Sequence, residues 1–155
     1  MIYFQTFTLE KGVDKQQFEK AIRKFSSKRT DFLDFKSSTS DFGLSKYFLG
    51  YEGKNNLQFT RIRTSFERVL PKLIFNLPKS DECNYYEVRL SFTATVLLCL
   101  LVFLFIVCTF SAFSKNQNYG VIPTILAVLS LYSLLIFFEI KFTKSRIKKA
   151  INNLT

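Results

Sequence analysis

Short alternating patterns of hydrophobic and polar positions fill the first part of this 155-residue chain, and two long apolar runs fill most of the rest. Ile2 to Leu9 is rich in aromatic and β-branched residues and predicts a strand, which Gly12 ends. Asp14 followed by Gln17 has the pattern of a capping box and predicts the start of a helix. Within it Phe18, Ala21, Ile22 and Phe25 share an apolar face, while Lys15, Lys20, Arg23 and Lys24 are wet. The helix is expected to end before Ser26-Ser27-Lys28. Residues 28–45 are polar, with scattered Phe32, Phe35 and Phe42, and read as irregular or weakly stranded. Lys46 to Glu52 and Leu57 to Arg63 read as the two strands of a hairpin around Gly53-Lys54-Asn55-Asn56. In the second of these, Leu57, Phe59, Arg61 and Arg63 share one face. Val69 to Leu77 is a further strand, and Pro71 inside it implies an edge position or an irregular start. After a turn at residues 78–82, Tyr85 to Phe92 is a strand that runs directly into the first apolar run.

The runs themselves have a different period and length. Residues 90–114 carry no charge, and 15 of the residues from Leu90 to Phe113 are Leu, Ile, Val or Phe. A helix of that length is about 36 Å long, enough for a hydrocarbon layer of about 30 Å. A second uncharged run lies between Lys115 and Glu139, with Gly120 and Pro123 in its first turns, where proline costs little. The polar link at residues 114–118 is too short to join anything but antiparallel neighbours. Small residues Ala127, Ser130 and Ser133 drift round one face and favour close helix approach. The expected fold class is a membrane α+β protein: a small antiparallel β domain with one helix, followed by a two-helix transmembrane hairpin. The expected divisions are a domain over 1–88, a hairpin over 89–139 with spans of about 90–113 and 119–138, and a basic amphipathic tail over 140–155. Eleven Phe residues in 1–88 supply the expected core.

Charge then fixes the orientation. The net charge is +10, and the tail contributes Lys141, Lys144, Arg146, Lys148 and Lys149 with no acid. A basic segment beside an apolar span is attracted to anionic lipid headgroups, which is the expected role of these five residues. The tail also has Ile147, Ala150, Ile151 and Leu154 at helical spacing, and so either continues the second span or lies on the membrane. The hairpin link carries Lys115 alone, so both termini are expected in the cytoplasm, at the inner (plasma) membrane. Tyr85, Tyr86 and Tyr119 fit interfacial belts. Arg89 starts the first span and Glu139 ends the second, which predicts an ion pair between them at the membrane boundary.

The chemistry carried by the chain is sparse. It contains no histidine, which removes Ser-His and Cys-His catalytic pairs. Glycines are few and isolated, so no phosphate-binding glycine loop is present. Cys83, Cys99 and Cys108 lack neighbours at metal-ligand spacing. Asp31, Asp34 and Asp41 sit in a polar stretch and read as solvated loop charges. No enzymatic activity, cofactor, metal or DNA partner is expected. One constellation stands out: Phe59, Arg61, Arg63, Arg68 and Lys72. Two guanidinium forks on one strand face, beside an aromatic ring, suit a phosphate and a stacked base; they also suit solvent or anionic lipid.

The run Phe59-x-Arg61-Ile62-Arg63, then Ser65-Phe66 and Leu70-Pro71-Lys72, resembles a group of small bacterial membrane proteins with a hairpin, a proline-containing strand and a strand leading into two spans. Tyr85 to Leu90 and Lys148-Lys149-Ala150 fit the last strand and the basic tail of that group, and the resemblance covers about residues 46–150. The architecture is similar to the two-transmembrane β-domain effectors of bacterial anti-phage nucleotide-signalling systems, in which a β-rich sensor controls membrane disruption. The resemblance implies a cyclic-nucleotide or oligonucleotide ligand, homo-oligomerisation through the hairpin and a breached inner membrane. The other expected function is a non-enzymatic accessory protein that docks a cytoplasmic partner.

Overall fold

The structure, a computed structural model, describes residues 3–9, 14–29, 32–35, 46–79, 85–115 and 121–153. Asp31, Asp41, Phe42, Cys83, Tyr119 and Leu154, together with most of the hairpin link and of the turn after Pro78, lie outside the described residues.

Six strands and three helices follow one another: β1 (Tyr3–Thr8), α1 (Lys15–Lys24), β2 (Ser26–Arg29), β3 (Phe48–Glu52), β4 (Asn56–Arg61), β5 (Leu73–Pro78), β6 (Tyr85–Leu90), α2 (Phe92–Lys115) and α3 (Val121–Asn152). A short 3-10 turn, Phe66–Val69, lies between β4 and β5. The strands form one sheet in the order β1-β6-β5-β4-β3-β2. Every neighbouring pair is antiparallel except β2 and β3, so the sheet is mixed.

The parallel edge strand corrects the expected purely antiparallel sheet. Ser26-Ser27-Lys28-Arg29 has no hydrophobic alternation; it is a strand because it pairs with Phe48 to Tyr51, and because the Tyr47 and Phe48 amides donate to Phe25 O just before it. Pro71 likewise falls outside β5, which begins two residues later and runs through the middle of the sheet between β4 and β6. The missing N–H of Pro71 thus costs no ladder bond. Asp14 is the N-cap of α1 but makes no side-chain cap bond; the helix starts on the Phe18 N–H to Asp14 O bond of 2.9 Å.

One sheet face carries Phe48, Leu57, Phe59, Phe75, Leu77, Tyr86 and Val88, all buried. It is covered by Phe18 and Ile22 of α1 and by Ile147 and Ala150 of α3. Phe18 stacks on Tyr86 with ring centroids 5.7 Å apart. Gly50 lets Phe59 approach the sheet closely, since a Cβ there would stand 3.2 Å from the Phe59 ring. The opposite face is covered more thinly: Leu33, from the described 32–35 segment, packs on Leu49 and Ile74. Not all the phenylalanines are core, because Phe32, Phe35 and Phe66 are exposed.

Of the two alternatives for the basic tail, it continues the second span, and it packs on this domain. Helix α3 is continuous for 32 residues, so residues from 140 onward extend the second apolar helix, and their apolar face enters the core against the sheet and α1. Above that point both long helices are bare. Phe92–Ser111 has a mean hydropathy of 2.7 and the best window of α3 reaches 2.4, yet only 6% of either window is buried. A core helix of a soluble protein would bury such a stripe. These two helices are long and apolar enough to cross a membrane, and they pack side by side as a hairpin.

Candidate functional site

Strand polarity brings the chemistry to one end of the sheet. Arg61 ends β4, Leu73 starts β5 opposite Leu90, and Leu90 is followed immediately by α2. The β4–β5 connection therefore leaves the sheet at the end where the apolar hairpin begins. All four of Arg61, Arg63, Arg68 and Lys72 are on or beside that connection.

They do not share one ligand-facing surface. Phe59 is buried in the core. Arg61 is 1% exposed and lies on the same core-facing side. Its Nη2 stands 2.7 Å from Glu139 Oε2, its Nη1 stands 2.8 Å from Glu67 Oε1, and its guanidinium lies 5.6 Å from the centre of the Phe142 ring. Burial works against the charge of Arg61, but Glu139 and Glu67 outweigh it and hold the proton on more firmly. Glu67 also accepts from the Thr64 amide at 2.9 Å; burial raises its pKa, but this bond and Arg61 together bring it below the usual carboxylate range. Phe59 and Arg61 are therefore structural, which corrects their expected place at a ligand.

The boundary pair is also redistributed. Arg89 turns to the other sheet face and makes a two-pronged bond to Asp34, with Nη1 to Oδ1 at 2.9 Å and Nη2 to Oδ2 at 2.8 Å. Asp34 Oδ1 additionally accepts the Phe92 amide at 2.8 Å. Asp34 therefore caps the first turn of α2 from a distant segment, a favourable position for a carboxylate at a helix N-terminus. Arg89 and the Phe92 amide together hold its carboxyl below the usual range, against the effect of burial. Arg89 and Glu139 each have a nearer partner, one on each face of the sheet, and do not pair. Asp34, expected in solvent, is 5% exposed.

The remaining three cations line a cavity of about 510 Å3 at the junction. Arg63, Arg68 and Lys72 come to it from the sheet domain, and Ala94, Leu97 and Tyr132 from the two long helices. Arg63 is half-buried and donates to Leu70 O. Lys72 is buried, donates to Leu33 O, and is pulled down to about 8, first by burial and then by Arg63. Arg68 is exposed, and among the described residues no carboxylate pairs with it. Tyr132 closes the cavity floor by donating its hydroxyl to Ala94 O at 2.9 Å, which ties α3 to α2. Asp34 also borders the cavity but is engaged by Arg89, and the three cations above an apolar floor suit an anion that carries an apolar or aromatic part.

Of the five basic residues on the last turns of α3, Lys144 lies 3.8 Å above the Phe7 ring, and Arg146 and Lys149 lie 5.5 and 5.6 Å from the Tyr47 ring. Lys141 and Lys148 are exposed. At the far end of the sheet a smaller cavity of about 150 Å3 is bordered by Arg23, Lys28, Tyr51 and Glu52. Glu52 is already engaged there by Arg23 and Lys79, which hold its carboxyl down at about 2. No group of acids, cysteines or histidines able to hold a metal occurs among the described residues.

Comparison with known protein families, curated proteins and solved structures yields no match to this chain.

Proposed function

We propose that this chain is a two-pass inner-membrane effector whose sheet domain, on the cytoplasmic side, binds a phosphate-bearing signal and passes its occupancy to the hairpin. The single observation that supports this reading is the junction cavity. Its cationic wall belongs to the domain, through Arg63, Arg68 and Lys72, and its floor belongs to the hairpin, through Ala94, Leu97 and Tyr132. A ligand there touches both parts at once, so binding alters how they pack. The buried pairs Arg61–Glu139 and Arg89–Asp34 make the connection stiff enough for such a change to reach the helices. Resemblance to anti-phage effectors supplies the ligand class, a cyclic nucleotide or short oligonucleotide, and the outcome, clustering of hairpins and a breached membrane. The both-termini-inside orientation follows from the basic residues at the domain end of the hairpin.

The test uses the full-length protein in lipid nanodiscs, titrated with a panel of cyclic dinucleotides and short linear oligonucleotides. Binding by at least one, weakened by Arg68→Glu, is the expected result. A folded sample that ignores the whole panel defeats the sensor reading and leaves the accessory role, in which the domain docks a cytoplasmic protein.

A further inference from the structure

The described residues outside the two long helices leave four large apolar side chains exposed: Phe32, Phe35, Phe66 and Val69. Phe32 rests against Tyr51. The other three gather at the hairpin end of the sheet. Phe66 is 94% exposed and Val69 76%, both on the 3-10 turn of the β4–β5 connection. Phe35 is 75% exposed and packs beside Phe92, the first residue of α2, with ring centroids 5.7 Å apart. Val69 borders the same cavity as Ala94 and Leu97 and therefore lies level with the first two turns of α2.

A water-soluble domain has no reason to put a phenylalanine outward at the tip of a short turn, since each exposed ring forgoes the transfer free energy of burial. The turn is not there by default of a core position: Glu67, its second residue, anchors it through Arg61 and the Thr64 amide and so aims Phe66 and Val69 away from the domain. Arg68 lies between them in sequence and is exposed, and Lys72 follows at the same rim. Outward aromatic and aliphatic groups alternating with cations, continuous with two apolar helices, match the water–lipid boundary, where rings sit among the glycerol groups and cations meet phosphates.

We infer that this rim, Phe66 and Val69 with Phe35 and Phe92, is a lipid-docking surface immersed in the interfacial layer of the bilayer that α2 and α3 cross, with Arg68 at the level of the lipid phosphates. The inference rests on reading the two long helices as membrane spans. It adds a third membrane contact to the two spans and fixes the depth and tilt of the sheet domain. It also makes the mouth of the junction cavity face the headgroup layer.

The chain has no tryptophan, so single tryptophans report their own surroundings. Three full-length variants, Phe66→Trp, Leu104→Trp in the exposed middle of α2 and Lys54→Trp in the turn at the far end of the sheet, are reconstituted in vesicles. The vesicles contain phosphatidylcholine and phosphatidylglycerol in a two-to-one ratio, with and without bromine high on the acyl chains. The expected result is that Phe66→Trp emits to the blue of Lys54→Trp and loses intensity to brominated lipid, as Leu104→Trp does, while Lys54→Trp does not. If Phe66→Trp behaves like Lys54→Trp while Leu104→Trp is quenched, the spans stand and the docking surface is wrong. If Leu104→Trp is not quenched either, the span reading has failed and the docking surface with it. Quenching absent but a blue shift that disappears on diluting the protein in lipid means that a second copy of the chain covers the rim, and also overturns the inference.

Discussion

Arg61 and Glu139, 78 positions apart, are joined by two hydrogen bonds, Nε to Oε1 at 3.2 Å and Nη2 to Oε2 at 2.7 Å. The bond ties the last residue of β4 to α3 at the level where that helix passes from its bare apolar half to the half packed on the sheet. A buried pair of this kind is weak evidence of net stability, because both charges lose water, but breaking it leaves one charge stranded. Arg61→Ala or Glu139→Ala is therefore expected to cost about 3–5 kcal/mol, whereas Arg61→Met with Glu139→Leu costs much less or nothing. Thermal or denaturant unfolding of the detergent-solubilised full chain measures this. Single variants as mild as the double variant would show that the pair is not buried as described.

Asp34 carries a pH dependence with a definite sign. Its carboxyl is held below the ordinary value of 3.8 by Arg89 and the Phe92 amide. A depressed folded-state pKa contributes stability above the unfolded pKa and loses it as pH falls through the folded one. The start of α2 is thus expected to weaken only in acid, below about pH 4. Asp34→Asn keeps the shape but removes the charge, and is expected to destabilise at neutral pH by about 3 kcal/mol while flattening the acid limb. Hydrogen exchange at the first-turn amides of α2, followed against pH in both proteins, is the direct measurement. An acid limb unchanged in Asp34→Asn would assign that limb to another group.

The hydroxyl of Tyr132 donates to Ala94 O at 2.9 Å, a side-chain hydrogen bond that joins α3 to α2. Tyr132→Phe removes it without a cavity. The expected cost is about 0.5–1.5 kcal/mol, because a neutral hydrogen bond is worth little net even between apolar helices. Tyr132→Ala also opens space beneath the junction cavity and is expected to cost about 3–5 kcal/mol. Equal effects of the two, in the same unfolding assay, would mean that ring packing contributes nothing at this contact.

Much of the frame was legible because it is local. Ile2 to Leu9, the hairpin about Gly53 and the strand from Tyr85 show their period in a few residues, and β1, β3, β4 and β6 lie there. The apolar runs show their length directly, and two helices of membrane-spanning length follow. What escaped depends on distant partners. Ser26-Ser27-Lys28-Arg29 becomes a strand only through β3. Arg61 and Arg63 alternate correctly, but alternation cannot tell whether an inward arginine meets a carboxylate, and Glu67 and Glu139 lie six and 78 residues further along. Asp34 looked like a loop charge because its partners, Arg89 and the Phe92 amide, are more than 50 residues away. An inward arginine in an otherwise apolar strand face was the available signal: a charge on a core face requires a buried acid.

Lys72 separates the junction cavity from a merely basic surface. Its amine is pulled down to about 8 by burial and by Arg63, while the ordinary value is 10.5. A lysine pKa lowered on folding means that between these two pH values the unfolded chain binds a proton the folded chain does not, so stability rises as pH climbs through that window. Anion binding moves the other way. Raising pH through about 8 removes the charge of Lys72 from the cavity wall. The affinity for a phosphate-bearing ligand is expected to fall by about tenfold, the worth of one charge-assisted hydrogen bond of about 1.5 kcal/mol. Lys72→Met is expected to bind about as weakly at pH 7 as the wild type does well above pH 8, and to show no step between. Stability and affinity thus change in opposite directions over the same pH range, a pattern that screening at exposed lysines does not produce. A binding curve flat across pH 8 in the wild-type protein would remove Lys72 from the site.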